Sequence, residues 1–184
     1  MRLFLFGAVH GLFYAPAIAR LARVSAREGP PFAREARWAM WLHGAALVFA
    51  YVALLLAGSD AIEDARPLRV GVGAGVLLAG VVLNALSVRA LRSWRLAPTI
   101  GADHELCTSG PYRWVRHPVY AAFDLLVLGS AIWVGTAPLW AAVALAALAG
   151  DARARLEERA LVAAFGDRYR AYARRVARFV PRTY

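Results

Sequence analysis

The chain contains no lysine and a single cysteine, Cys107. One thiol cannot close an internal disulfide or build a multi-cysteine metal site, so neither device holds this protein together, and the redox compartment stays open. Acidic residues are scarce too: 12 stand against 22 arginines, for a formal net charge of +10. Polar residues as a whole are few. Of 184 residues 60% are hydrophobic, and a mean hydropathy of +0.49 excludes an ordinary water-soluble domain. A basic excess suits nucleic acid or an anionic lipid surface, and its placement decides between them. Arginine in place of every lysine, in an alanine-rich chain, also reflects compositional bias, so no arginine is functional on its type alone.

What is present is a series of apolar runs, at 3–19, 38–57, 68–88, 119–134 and 136–149. The first three are long enough to cross a hydrocarbon core of about 30 Å. The last two are shorter and are separated by Gly135-Thr136-Ala137-Pro138, which predicts a tight helical hairpin. The first run lacks a convincing small-residue cleavage site before Arg20 and is expected to be a helix, not a signal peptide. The segments 20–37, 89–118 and 150–184 hold 19 of the 22 arginines. The positive-inside bias therefore predicts an outside amino terminus and a cytoplasmic carboxy terminus. It also accounts for the net charge through anionic headgroups, without nucleic acid.

The expected fold is all-α and integral to a membrane, of bacterial cytoplasmic type. Five transmembrane helices, the last two a hairpin, carry a cytoplasmic helical cap at 150–184. Residues 1–67 supply two spans of this single domain, and 68–184 form its core. In the cap, Leu156, Ala160, Leu161, Ala164 and Phe165 recur at helical spacing. After a break at Gly166, Tyr169, Tyr172, Val176 and Phe179 share one face, so two short amphipathic helices are predicted. A basic tail that only anchors to lipid is the competing reading of the second half. It accounts poorly for Glu157-Glu158.

Chemistry concentrates where TSGPYRWVRHPVYAAF meets the fourth apolar run. Gly110-Pro111 signals a turn, and Pro118 bars helix upstream and pushes His117 toward an extended conformation. A structured loop at 104–118 should therefore open into a helix near Pro118. A helix amino terminus presents unpaired N–H groups and a positive dipole end, which with Arg116 and His117 suits a polar, partly anionic ligand at the bilayer edge.

These residues resemble the membrane methyltransferases of the isoprenylcysteine carboxyl methyltransferase and phospholipid methyltransferase superfamily. The likeness covers roughly 68–181 and rests on order and spacing. Gly-x-Tyr-x-x-x-Arg-His-Pro-x-Tyr (110–120) is followed by Arg-x-x-x-Glu-Glu (153–158) and Phe-Gly-x-x-Tyr (165–169). The resemblance implies S-adenosylmethionine as cofactor, bound by His104, Glu105, Leu106, Cys107, Tyr112, His117, Pro118, Val119, Tyr120 and Glu157. It implies that Arg153 faces the methyl acceptor. Arg153 and Glu157, four apart, would share a helix face. Methyl transfer proceeds in line, so the protein's task is to hold donor and acceptor collinear and exclude water, with no metal required. A lipophilic acceptor would enter sideways from the bilayer, and no obligate protein partner is evident.

Two departures stand out. Ala121-Ala122 follow Tyr120 where the superfamily often has a glycine two residues on. Asp124, one turn beyond Tyr120, is an ionisable group inside an apolar run, a functional position by default. It either binds or deprotonates an acceptor, as a catalytic residue beside Arg153, or is satisfied by Arg116 or a neighbouring helix. His10, His43 and Asn84 are expected to hydrogen-bond between helices, and Gly71, Gly73, Gly75 and Gly80 to allow close packing. Cys107 is expected to be a small loop residue. Membrane sterol and steroid reductases share the Arg-His-Pro-x-Tyr architecture with a nicotinamide cofactor, and a non-catalytic membrane scaffold is the third alternative.

Overall fold

A computed structural model describes residues 1–21, 34–91 and 106–181. Among these the fold is all-helical: α1 (Arg2–Leu21), α2 (Arg34–Glu63), α3 (Pro67–Ala90), a 3-10 turn (Gly110–Arg113), α4 (Pro118–Val134), α5 (Ala137–Phe165) and α6 (Asp167–Ala173). Three helices are long and apolar enough to cross a membrane, over Arg2–Ala19, Arg37–Glu63 and Pro67–Ala90. Their outward faces carry Phe4, Leu55, Leu56 and Leu68, all largely exposed, as lipid contact requires. The helix α4 is shorter and apolar apart from Asp124 and Ser130, and α5 is apolar only to Gly150.

The fifth element departs from expectation. Instead of ending near 149 and yielding to a separate cap helix, α5 runs on unbroken to Phe165. At about 1.5 Å per residue it is roughly 44 Å long, more than a hydrocarbon core. Residues 150–165 are mostly alanine, leucine, arginine and glutamate, strong helix formers that give the chain no reason to stop. The break falls at Gly166 (φ 54°, ψ −127°), in a region that only glycine enters readily. Beyond it α6 is helical only to Ala173, so Val176 and Phe179 do not continue its face. Likewise α2 extends past 57 to Glu63, with a backbone break at Gly58 (φ 78°, ψ 169°), where a loop was expected.

The tightest packing joins α3 to α4. A Cβ on Gly73 would lie 2.8 Å from the Gly129 carbonyl oxygen, and one on Gly129 would lie 2.9 Å from that of Gly73. The two backbones meet at this crossing. Gly80, about two turns further along α3, has a similar role, with a Cβ there lying 3.2 Å from the Ala122 carbonyl oxygen. Gly71 and Gly75 face no neighbour within 4 Å, so only half of the glycine stripe is a packing surface.

Hydrogen bonds fix which helix ends lie together. Arg2 reaches the Ala65 carbonyl at 2.8 Å, Arg69 the Ile132 carbonyl at 3.0 Å, and Trp133 the Ile62 carbonyl at 3.2 Å. The start of α1, the α2–α3 turn and the α4–α5 turn therefore share one end of the bundle. At that last turn Gly135 is left-handed (φ 75°), and the space a Cβ would need is filled by the Arg69 guanidinium. Between the ends, His10 joins α1 to α4 through Ser130 (3.1 Å), and Asn84 joins α3 to the Phe13 carbonyl of α1 (2.7 Å), as the sequence predicts.

Candidate functional site

The opposite end of the bundle gathers the motif residues. Cys107, just before the 3-10 turn, bonds the Ala90 carbonyl at the end of α3 through Sγ, at 3.5 Å. Tyr112 is buried in the 3-10 turn, and its carbonyl accepts from the Tyr172 hydroxyl of α6 at 2.5 Å. Burial, with the charge of Glu157, pushes the Tyr112 phenol well above its usual range, so it is a neutral hydroxyl. Pro118 opens α4 with His117 as the preceding residue, at φ −124° and ψ 59°. It is non-helical, as the following proline requires, but ψ stops short of the extended range that was expected.

A parallel clasp holds this entrance. The amides of Arg116 and His117 donate to the carbonyls of Ala177 (2.8 Å) and Arg178 (3.1 Å). The Arg116 guanidinium donates to the Ala173 carbonyl (2.8 Å), to that of Val176, and to Glu158 (3.0 Å). These bonds pair the carbonyl of Ala173, the last residue of α6, and those of Val176, Ala177 and Arg178 in the segment beyond it. Residues 167–181 thus dock on the 114–117 loop. Arg116, expected to face a ligand, is spent on this clasp and not on Asp124.

The adjacent glutamates serve different partners. Glu158 receives Arg116, Arg178 twice (3.0 and 2.8 Å) and His117 Nε2 (3.3 Å), while Arg178 also reaches Asp151 (2.9 Å). Burial works against its charge, but hydrogen bonds from His117 and Arg178, with Arg116 alongside, hold its carboxyl well below the usual carboxylate range. Glu157 accepts the Tyr120 hydroxyl at 2.6 Å and lies 3.8 Å from His117 Nδ1. The His117 ring stacks on Tyr120, 5.4 Å between centroids and 5° between planes. Arg153, one turn before Glu157, places its guanidinium carbon 4.9 Å from the Tyr120 ring centre.

His117, Tyr120, Arg153 and Glu157 therefore converge, with Pro118 and the half-buried Val119 in the same first turn of α4. Leu106 and Cys107 lie at the described edge of the loop, while His104 and Glu105 fall outside the described residues. Asp124 sits one turn deeper, and among the described residues its buried Oδ1 has no hydrogen-bond partner. Sequence reasoning missed the Glu158 network, for which the doubled glutamate was the available signal. It also misjudged His43, which is 1% exposed with neither ring nitrogen hydrogen-bonded, where an interhelical bond was expected. A separate open groove of about 710 Å³, rimmed by Arg155, Arg159, Arg170 and Arg174, takes in Glu158 but not His117, Tyr120 or Glu157.

Comparison with known proteins bears on this geometry. The sequence pattern of the phospholipid methyltransferase family matches residues 68–168, from the start of α3 to the Gly166 break and the first turn of α6. Over 81 residues, 44% of the chain, there is 41% identity to the cobalt-zinc-cadmium resistance protein CzcN of Cupriavidus metallidurans, and the aligned segment covers 37% of that protein. The chain thus aligns with little more than a third of this relative's length.

Proposed function

Because the chain belongs to the phospholipid methyltransferase family, we propose that it is an integral membrane enzyme that moves a methyl group from S-adenosylmethionine to a lipophilic small molecule or lipid-linked acceptor. The observation that carries this reading is the unit built on Tyr120, whose hydroxyl is bonded to Glu157 while His117 and Arg153 lie against its ring. Its donor set suits the cofactor: a carboxylate for an ammonium or ribose hydroxyls, and aromatic rings for a cation. The cofactor supplies an activated methyl on a sulfonium. Glu157, Tyr120 and His117 hold it in one orientation, Tyr112 and the backbone at 106–107 border it, and Pro118 and Val119 form the apolar lip. Arg153 and Asp124 lie on the acceptor side.

In this reading α4 and the apolar half of α5 complete five spans, with the charged half of α5 and α6 as a cytoplasmic cap. The amino terminus is outside, in a bacterial-type cytoplasmic membrane. The acceptor arrives through the bilayer and the cofactor from water. The arginine-rimmed groove lies where anionic lipid headgroups would meet it.

Calorimetric titration with S-adenosylhomocysteine, the demethylated product, tests the site. Removing a carboxylate that receives charge-assisted bonds should weaken binding about tenfold or more in Glu157→Ala. Affinity within twofold of the parent would withdraw Glu157 from the site.

A further inference from the structure

Buried polar atoms on three helices lack a hydrogen-bond partner among the described residues: both ring nitrogens of His43 on α2, Oδ1 of Asp124 on α4, and Nε of Arg153 on α5. Their surroundings bring them to one region. The His43 ring lies 5.5 Å from Tyr120 and 5.8 Å from Phe123, edge-on to both. Arg153 lies over that same Tyr120. Asp124 follows Tyr120 by one turn of α4, and Arg153 follows Gly150 by just under one turn of α5.

Gly150 leaves a methyl-sized space beside Asp124. It is buried, yet a Cβ built on it would meet nothing nearer than Asp124 Oδ1, at 3.9 Å. Close-packed interiors leave few such gaps, and an unpaired buried polar group costs free energy until a partner arrives. Along α2 the buried positions Ala39, Ala46, Ala50 and Ala53 are alanines, and His43 is the one large polar side chain among them. An imidazole in that stripe brings polar capacity which no described neighbour uses.

Resting on the methyltransferase reading, we propose that His43, Asp124 and Arg153 form the binding site for the acceptor's head group, and that this head carries hydrogen-bond donors, as an amine or a hydroxyl does. The carboxylate of Asp124 needs a donor and Nε of Arg153 an acceptor; neutral His43 supplies one of each. An amine or hydroxyl satisfies the set. A carboxylate head brings no donor and leaves Oδ1 of Asp124 unpaired, so it is disfavoured. Because His43 lies outside residues 68–168, the head group is selected partly by the amino-terminal helices.

The test uses the full chain in lipid nanodiscs and three probes with one tail, decylamine, decanol and decanoic acid, without cofactor. Binding is followed through the side-chain NMR signals of labelled histidine, with His43 assigned by His43→Asn. Decylamine and decanol should shift the His43 signals saturably and decanoic acid should not. Asp124→Asn should weaken the decylamine response at least tenfold. Gly150→Ala, which suits a helix better than the parent, puts a methyl beside Asp124 and should weaken it several-fold. S-adenosylhomocysteine affinity should stay within twofold in both variants. Equal responses to decylamine and decanoic acid, no His43 response, or unchanged binding in Gly150→Ala would each overturn the proposal. If the parent fails to bind S-adenosylhomocysteine, the methyltransferase reading fails instead, whatever the histidine signals do.

Discussion

Tyr120 is the residue on which the candidate site turns, since one ring is touched by His117, His43 and Arg153 and its hydroxyl is held by Glu157. Tyr120→Phe keeps the ring and removes only the 2.6 Å hydrogen bond. It should therefore leave the fold intact and weaken S-adenosylhomocysteine binding several-fold, less than Glu157→Ala, when the two are titrated side by side. An effect as large as that of Glu157→Ala would mean that Glu157 acts on the cofactor only through the Tyr120 hydroxyl. Much of this residue-level picture was legible. The i,i+4 spacing of Arg153 and Glu157 and the proline after His117 both dictate local geometry, and the structure shows that geometry. His43 was not legible, because whether a buried imidazole finds a partner depends on three helices far apart in sequence.

Among elements, the clasp between the 114–117 loop and residues 173–178 rests on Glu158. Its carboxyl is depressed in the folded protein, so its contribution is fully present above the ordinary carboxylate value of 4.5 and fades only as pH falls through the lower folded value. Amide exchange at Arg116 and His117, corrected for intrinsic rate, should stay protected from neutral pH to below 4.5. In Glu158→Gln the protection should drop about ten- to a hundredfold from neutral pH down to 4.5, as fits the loss of charge-assisted bonds worth roughly 1.5–3 kcal/mol. Loss of protection in the parent near about pH 6, far above any carboxylate in this clasp, would contradict this account. At the α3–α4 crossing, Gly129→Ala drives a methyl to 2.7 Å from the Leu77 side chain and 2.9 Å from the Gly73 backbone. A cost of about 1–3 kcal/mol is expected, read as a lowered melting temperature in detergent, while Gly75→Ala should cost nothing. Hydropathy located these helices well. It ended α5 too early because hydropathy falls at Gly150 while helix propensity does not, and one continuous helix carries Gly150, Arg153, Glu157 and Glu158.

At the scale of the whole molecule, one end of the bundle holds compact turns and the other holds the loop, both glutamates and the clasp. That polarity follows the distribution of arginines in the sequence, which favours the site end. Every site assignment proposed for the cofactor and the acceptor depends on which cofactor binds. The most direct test places S-adenosylhomocysteine and NADPH on the same preparation in nanodiscs, each titrated calorimetrically against parent and Glu157→Ala. Saturable binding of S-adenosylhomocysteine alone, weakened in the variant, is the predicted result. Saturable binding of NADPH with no response to S-adenosylhomocysteine would contradict it.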